Sequence, residues 1–401
     1  MSERFTGSFT QQEPIPEEGI AAAVEVLRSG RLHRYNLVGD DPGEVSLLEQ
    51  EFADLVGAKY CVAVASGGYA LGAALRAVGV KPGDKVLTNA FTLAPVPGAI
   101  ASVGAVPVFV GVTEGLVIDL DDLAAKAAST NGANVLMLSH MRGHICDMDR
   151  LMALCAEHGI TVIEDCAHTM GASWRGVPSG RHGVIGCYSC QTYKHVNSGE
   201  GGLLVTDDAE VAARAVMLSG SYMLYERHLA APAPEVFEQV KYVTPNVSGR
   251  MDHLRAAILR PQLRALPEQV ARWNERYAVV EAGLADTPGL TVVKRRAGEA
   301  FVGSSIQVLL LDWPEQGIAE VLRRCAARGV ELKWFGGAEP VAFTSRYDSW
   351  RYAPTEPMPA SDRVLKGIVD MRLPLTFSLE DCALIARIIR AEVSSVFQAA
   401  D

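Results

Sequence analysis

The sequence predicts an α/β protein with a mostly parallel central sheet, helices on both faces of that sheet, and a small α/β unit toward the C-terminus. Between residues 60 and 165, short apolar runs bounded by Gly, Pro and Asp alternate with helix-length segments, which is the pattern of parallel strands joined by helices. A second strand–helix–strand pattern begins near residue 290. The length of 401 residues suffices for two domains with large cores.

The expected elements follow from periodicity and turn residues, and Pro82-Gly83-Asp84 is a typical turn before a strand. Strands are predicted over residues 60–65, 85–88, 106–110, 134–138, 161–165, 307–312 and 330–334. Helices are predicted over 20–27, 46–56, 70–78, 120–129, 209–218, 251–282, 315–328 and 379–396, with 230–238 irregular. Pro261 and Pro267 are expected to kink or break the helix 251–282. We therefore expect a large domain over 1–280, which includes an N-terminal segment, and a small domain over 281–401.

Composition excludes several classes of function. Lys and Arg number 37 against 47 Asp and Glu, a net charge of −10, so we expect no nucleic-acid binding. The polar start and the lack of a long apolar stretch predict no signal peptide, no membrane span and a cytoplasmic location. We expect the 8 cysteines to be reduced and mostly buried. Cys187 and Cys190 form a single C-x-x-C, which we interpret as a structural pair rather than a zinc site, and no metal is expected.

Three features lie at predicted strand ends, where open α/β sheets bind ligands. Ser66-Gly67-Gly68 precedes a helix, so its backbone N–H groups could hold an anion, although for this motif alone a simple tight turn is the favoured reading. Asp165 ends an apolar strand and needs a positive or hydrogen-bonding partner, or else it caps the next helix.

The third feature is a lysine between an apolar strand and a Gly-rich loop. Burial there would lower the pKa of Lys194 and make it a nucleophile toward carbonyls, whereas the alternative is an ordinary surface lysine. Ser189, five residues earlier, could bind a phosphate. The three features together are what pyridoxal 5'-phosphate requires: a phosphate cradle, a carboxylate for the ring nitrogen, and a lysine that holds the aldehyde as a Schiff base.

Over nearly its whole length, the sequence resembles the DegT/DnrJ/StrS family of fold-type-I pyridoxal-phosphate enzymes. Members are mostly aminotransferases that act on nucleotide-linked keto sugars or keto cyclitols. The matching motifs are Ser66-Gly67-Gly68, Pro82-Gly83-Asp84-Lys85-Val86, His140 with Gly143, Glu164-Asp165-Cys166-Ala167-His168, Ser189 with Lys194, Gly199-Glu200-Gly201-Gly202, and Arg250-Met251. The resemblance implies fold type I.

The resemblance also assigns roles to residues. Lys194 matches the Schiff-base lysine, and Asp165 matches the partner of the pyridine nitrogen. His168 falls near the position of the cofactor's 3-hydroxyl group. The backbone of Gly68 and Tyr69, with the Ser189 hydroxyl, resembles the phosphate site. The resemblance further implies a homodimer whose active sites lie at the subunit interface.

Several positions depart from the family pattern. Gly68 stands where a Thr is usual, and Leu93 stands where a Phe or Trp often stacks on the cofactor, so we expect aliphatic packing there. Ser248 occupies the position of an Asn that reaches the partner subunit's phosphate, with Asn246 two residues earlier. His195 follows the lysine where many members have Asn.

We therefore predict an aminotransferase that moves an amino group from Glu or Gln to a keto sugar, keto cyclitol or similar carbonyl acceptor, in secondary-metabolite or glycan biosynthesis. One alternative is a pyridoxal-phosphate dehydratase, lyase or cyclase acting on an amino-acid-derived or aminohydroxybenzoate-type substrate, because residues 171–176 resemble such members. Another is a regulator that binds the cofactor without turnover.

The roles of some further residues stay open at this point. His140, Arg142 and His144 follow a predicted central strand, where a satisfied core histidine and a functional group are equally plausible readings of His140. Arg31, Arg34 and Tyr35 occupy a stretch that lies near the substrate in relatives. Residues 334–354 are rich in aromatic side chains and form either a substrate-facing lid or domain packing, with packing favoured.

Overall fold

A computed structural model describes residues 3–130 and 132–399 of the chain. In these residues the strands form sheets of seven, four and three strands, and the elements are numbered in chain order. The strands are β1 Tyr60–Val64, β2 Lys85–Asn89, β3 Val106–Val110, β4 Val135–Ser139, β5 Thr161–Asp165, β6 Ser173–Trp174, β7 Val177–Pro178, β8 Ile185–Ser189, β9 Gly202–Thr206, β10 Thr291–Val292, β11 Glu299–Ala300, β12 Ser305–Leu309, β13 Lys333–Trp334 and β14 Ile368–Arg372.

The helices pack on these sheets and connect their strands. They are α1 Glu17–Ser29, α2 Gly43–Val56, α3 Gly67–Ala77, α4 Pro95–Ser102, α5 Leu120–Ser129, α6 Met148–Glu157, α7 Ala209–Ser219, α8 Pro234–Val240, α9 His253–Leu284, α10 Glu315–Ala327, α11 Pro359–Lys366 and α12 Leu379–Gln398. Side chains cap many of their first turns: the Asp147 carboxylate accepts from Arg150 N–H at 3.1 Å, for example. None of the helices in the described part of the chain is long and apolar enough to cross a membrane.

The large sheet has seven strands in the order β1-β9-β8-β5-β4-β2-β3. Neighbouring pairs from β8 to β3 are parallel, while β9 runs antiparallel to both β1 and β8. The predicted α/β class with a mostly parallel sheet is confirmed. Strands β4 and β5 are buried along their whole length or nearly so, as expected when helices cover both faces. Their carboxyl ends therefore meet at one edge of the sheet.

The second sheet lies in the C-terminal part of the chain, with four antiparallel strands in the order β10-β12-β14-β13. Its core also contains Phe5 and Phe9, whose rings lie 4.9 Å from that of Phe377. The N-terminal segment thus packs with the C-terminal unit. The division into domains near residue 280 stays a prediction.

The structure corrects two expectations about local structure. Helix α9 runs without interruption through Pro261 and Pro267, so neither residue breaks it. Each proline removes one backbone hydrogen bond, and the packing of α9 against α1, α2 and α12 compensates for that loss. The segment predicted to be irregular contains helix α8, which begins at Pro234, a favourable first-turn position for proline.

Candidate active site

A carboxylate stands at the carboxyl end of β5, in the middle of the large sheet. Asp165 is 9% exposed, and its Oδ2 accepts a hydrogen bond from Ser139 Oγ at 3.1 Å, at the end of the neighbouring strand β4. Its Oδ1 accepts from the N–H of Ala167 at 3.1 Å. Burial raises the pKa of Asp165, although the Ala167 N–H and the nearby Lys194 favour its charged form. These contacts fix the direction of the carboxylate, so that it can bind a cationic N–H group.

Lys194 lies in the loop between β8 and β9. Its Nζ is 2.8 Å from Nε2 of His168, which follows β5. Burial, together with the positive charge of Arg142, lowers the pKa of Lys194 to about 7, and the Asp165 carboxylate only partly opposes this. Burial and the same lysine hold the pKa of His168 well below its usual range. A large fraction of Lys194 is therefore an uncharged, nucleophilic amine near neutral pH.

The start of α3 forms the other end of the site. Ser66 Oγ accepts from the N–H of Tyr69 at 3.1 Å, and the helix's own bonding begins with Ala70 N–H donating to Ser66 O. The N–H groups of Gly67 and Gly68 are then the remaining donors of the first turn. A Cβ on Gly67 would lie 2.8 Å from the Cβ of Ser189, so glycine is required there for the helix to approach the end of β8. The hydroxyl of Ser189 and these N–H groups form an anion cradle.

A cavity of about 450 Å³ connects these groups. The predicted site residues that line it are Gly67, Gly68, Leu93, Asp165, His168, Ser189 and Lys194. Tyr69 is absent from the lining; its hydroxyl donates to the Leu218 carbonyl at 2.7 Å. Asn246 and Ser248 also lie outside the cavity: Asn246 Oδ1 accepts from the N–H of Ser248 at 3.0 Å on the exposed surface.

Comparison with known proteins assigns the family. The sequence model of the DegT/DnrJ/EryC1/StrS aminotransferase family matches residues 14–390. The chain belongs to this family. The resemblance noted in the sequence is thereby confirmed, and it covers the whole cavity.

Relatives and solved structures agree with this assignment. The chain is 36% identical to an L-glutamine:2-deoxy-scyllo-inosose aminotransferase of Streptoalloteichus tenebrarius over 312 residues, 73% of this chain and 72% of that relative. It is also 36% identical to an L-glutamine:scyllo-inosose aminotransferase of Streptomyces griseus, over 55% of this chain and only about half (52%) of that relative. The crystal structure of 3-amino-5-hydroxybenzoic acid synthase superposes with a TM-score of 0.82 at 26% identity, over 97% of this chain and 99% of that one.

The structure shows the surroundings of Gly68, Leu93 and His195, three residues that depart from the family pattern. A Cβ on Gly68 would meet nothing nearer than Ser66 Oγ at 3.9 Å, so the missing side chain leaves open space at the anion cradle. Leu93 lines the cavity and packs against an apolar cluster that includes Phe91. The buried His195 Nε2 lies 3.0 Å from Ser304 Oγ, which links the lysine loop to the start of the small sheet.

Sequence reasoning missed one wall of this family member's cavity. Arg372 at the end of β14 lines it, together with Phe343 and Trp350 from the aromatic segment 334–354, which follows β13. That segment therefore has two roles. Part of it lines the cavity, while its residues Phe335 and Tyr347 are buried in a hydrophobic cluster. Strand β14 itself was not predicted, although the apolar run before Arg372 is a signal that could have revealed it.

Other candidate residues have structural roles. Arg34 is buried and binds both carboxylate oxygens of Glu49, at 2.8 and 2.9 Å, while Arg31 is exposed. His140 Nε2 lies 2.9 Å from Glu164, and His144 Nε2 lies 2.7 Å from Gln307 Oε1. The side chains of these four candidate residues all lie outside the cavity lining.

The geometry of His140, Glu164 and Cys166 would also suit a metal ion. However, Glu164 already accepts hydrogen bonds from His140 and from the N–H groups of Gly180, His182 and Gly183. The carboxylate of Glu164 therefore ties the loop before β8 to β5. Cys187 and Cys190 are buried and unpaired with each other, as expected for structural thiols.

Proposed function

We propose that the chain is a pyridoxal-phosphate-dependent aminotransferase that takes an amino group from L-glutamine or L-glutamate and transfers it to the carbonyl of a keto cyclitol or keto sugar. The observation that carries the proposal is the single cavity that brings the buried Lys194 together with Asp165, Ser189 and the N-terminus of α3. The family's reaction and the scyllo-inosose-type acceptors in the names of two relatives support the acceptor class. We place this reaction in secondary-metabolite or glycan biosynthesis.

The residues present fit pyridoxal phosphate. The N–H groups of Gly67 and Gly68 with the Ser189 hydroxyl would hold a phosphate, and Asp165 would hold a protonated ring nitrogen. Lys194 would hold the aldehyde. The cofactor, when bound, supplies an electron-accepting ring that stabilises negative charge at the Cα of an amino acid.

The chain's own groups then account for proton movement. With its amine free, Lys194 would act as the base that takes a proton from the donor's Cα and then as the acid that gives a proton back. Its pKa of about 7 suits both roles near neutral pH. His168, 2.8 Å from Nζ, holds that amine in position, and Ser139 fixes the carboxylate of Asp165.

We also propose that the enzyme is a homodimer that completes its sites across the interface. Support comes from the exposed apolar side chains close to Asn246 and Ser248, among them Tyr242 (82% exposed), Val243 (76%) and Val247 (45%). Monomeric proteins rarely expose such a cluster. Sedimentation should give twice the mass of one chain; a monomer that is fully active would refute this. A cytoplasmic location stays a prediction.

A half-reaction tests the amino transfer. Mixing the cofactor-loaded enzyme with L-glutamine alone should convert the cofactor's spectrum to that of pyridoxamine phosphate and release one oxo acid per site. Adding scyllo-inosose or 2-deoxy-scyllo-inosose should reverse the spectral change. If no donor among the common amino acids produces the pyridoxamine form, the proposed function is wrong.

Elimination is the second candidate function, and the likeness to 3-amino-5-hydroxybenzoic acid synthase favours it. The same half-reaction separates the two. An eliminating enzyme would release water and product from an amino substrate without accumulating the pyridoxamine form.

A further inference from the structure

Two arginines from distant parts of the chain meet at the lysine end of the cavity. Arg142 lies in the short turn Met141–Gly143 that follows β4, and Arg372 is the last residue of β14 in the small sheet. Both line the cavity beside Lys194 and Tyr193. Arg142 adopts a left-handed backbone conformation, with φ of 55°, which is unfavourable for a residue with a side chain.

The hydrogen-bonding capacity of this pair is incompletely used. Arg142 is 5% exposed, and its Nη2 lies 2.9 Å from Asp370 Oδ2 but is not aligned for a hydrogen bond. Its Nε and the Nε of Arg372 are buried and have no partner among the described residues. The guanidinium of Arg372 lies 3.8 Å from the ring centre of Tyr193 and 4.7 Å from that of Phe343. Buried unsatisfied donors on a charged group are costly and mark a site for an acceptor.

The surrounding charges are mostly positive. The Nζ of Lys333 lies 3.9 Å from the ring centre of Phe343, so Lys333 and Arg372 are both close to this ring. Burial and the charge of Arg142 lower the pKa of Arg372, and burial lowers that of Lys333 to about 8. The acid close to this group is Asp370, whose other oxygen accepts from Gln307 Nε2 at 2.8 Å. An anionic ligand would relieve this repulsion.

The two arginines, Arg142 and Arg372, are separate from the anion cradle at the start of α3. A smaller cavity next to the first is lined by Arg142, Arg372, Tyr193 and Lys194, and by none of the cradle residues Ser66, Gly67, Gly68 and Ser189. The arginines therefore lie at the end of the site where the substrate, and not the cofactor's phosphate, approaches the amine of Lys194.

We propose that Arg142 and Arg372 form a binding site for a carboxylate group of a substrate. This rests on the proposed function, and it requires that at least one of the two substrates carries a carboxylate near its reacting carbon. A guanidinium binds a carboxylate through two parallel hydrogen bonds, and both arginines have free N–H groups for this purpose. Two sources are possible: the α-carboxylate of the amino donor, or a carboxylate on the acceptor.

Binding of an unreactive dicarboxylate tests the site independently of turnover. We would titrate glutarate into the cofactor-loaded enzyme by calorimetry. Arg372→Gln should weaken binding about 10- to 100-fold, the range expected for a lost charge-assisted contact. The single variant Arg142→Gln would leave the buried carboxylate of Asp370 without its cation and could destabilise the fold. The second test therefore uses the double variant Arg142→Gln/Asp370→Asn, which should also bind glutarate more weakly than the wild type. Arg363→Gln, an exposed arginine paired with Asp312, should bind glutarate like the wild type.

Half-reactions identify the source of the carboxylate. If the donor supplies it, Arg372→Gln raises the KM for L-glutamine, and the wild type discriminates strongly against L-glutamine amide, which lacks the α-carboxylate. If the acceptor supplies it, only the acceptor half-reaction is impaired. Unchanged glutarate binding in both variants, or unchanged KM values in both half-reactions, would overturn the proposal. A wild type that binds glutarate but never forms the pyridoxamine form would instead refute the proposed function.

Discussion

The Nζ of Lys194 lies 2.8 Å from Nε2 of His168, so two groups that both carry a positive charge in acid are in direct contact. Burial and the charge of Arg142 lower the pKa of Lys194, and burial and the charge of Lys194 lower that of His168. At least one of the two side chains, Lys194 or His168, must therefore be uncharged for this contact to be stable. The contact therefore maintains a free amine where the proposed chemistry requires one.

The rate of cofactor attachment to the apoenzyme should follow the ionisation of Lys194. Because only the neutral amine attacks an aldehyde, the rate should rise with pH and level off above a midpoint near 7. Arg372→Gln removes a nearby positive charge, so this midpoint should move to higher pH. Stopped-flow absorbance after mixing apoenzyme with pyridoxal phosphate gives both profiles; a midpoint near the usual lysine value of 10.5 would contradict the assignment.

Lys194→Ala should abolish turnover and covalent cofactor attachment. Mass spectrometry after borohydride reduction measures the attachment directly. Lys85→Ala, at an exposed strand start, is the matched control and should retain both properties. Cofactor mass still bound covalently to the Lys194→Ala protein would disprove the lysine assignment.

Asp165→Asn should slow the donor half-reaction about 100-fold or more, because a neutral amide cannot stabilise a positive ring nitrogen as a carboxylate does. Ser139→Ala removes one hydrogen bond to the carboxylate and should have a smaller effect. Single-turnover spectra at saturating L-glutamine measure both rates. Equal rates for wild type and Asp165→Asn would remove Asp165 from the mechanism.

The two glycines of the anion cradle should respond oppositely to substitution. Gly68→Thr enters open space and places a hydroxyl near the cradle, so we expect cofactor affinity to rise up to about 10-fold. Gly67→Ala forces a Cβ to within 2.8 Å of the Ser189 Cβ and should weaken cofactor binding and cost about 1–3 kcal/mol of stability. Equilibrium dialysis and thermal unfolding give the two quantities; a harmless Gly67→Ala would contradict the close approach.

The buried pair of Arg34 and Glu49 should control acid stability. Burial alone would raise the pKa of Glu49, but Arg34 and His228 outweigh it and lower the value to about 2. The carboxylate therefore stabilises the fold above its ordinary pKa of 4.5, and this stability is lost as the pH falls from there to about 2. Glu49→Gln should cost about 3–5 kcal/mol at neutral pH.

The matched control for this pair is on the surface. Glu25→Gln, in an exposed pair with Arg28, should change the free energy of unfolding by less than about 1 kcal/mol. Denaturant unfolding at neutral and acid pH measures both variants. Similar losses for Glu49→Gln and Glu25→Gln would show that the buried pair has no special role.

Local chain signals were sufficient to predict half of the site. Asp165 and Ser189 each end an apolar strand, and Lys194 follows in the next loop, so parallel pairing alone brings them together. The strand that ends at Asp165 has the predicted bounds, whereas no bounds were predicted for β8, which ends at Ser189. Arg372 and Phe343 could not be placed in this way, because they reach the cavity only through the docking of the small sheet on the large one.

Two other outcomes depended on tertiary packing. The local chemistry of the two prolines predicts a break in α9. The helix is nevertheless continuous, because neighbouring helices pack against it. The sequence leaves the role of Arg34 open, and only the structure reveals that Glu49 binds it in the core. Asn246 and Ser248 lie on the surface of the single chain, so their role depends on a partner that the sequence does not describe.

The position of Phe5 and Phe9 constrains the order in which the chain can fold. Both rings pack against Phe377, and the N–H of Phe5 donates to the carbonyl of Arg328 at 2.9 Å. During synthesis on the ribosome the large sheet can assemble as soon as β9 emerges, but these first residues have no partners until the C-terminal strands follow. The rings of Phe5 and Phe9 thus have no core to pack into until the C-terminal strands have been made.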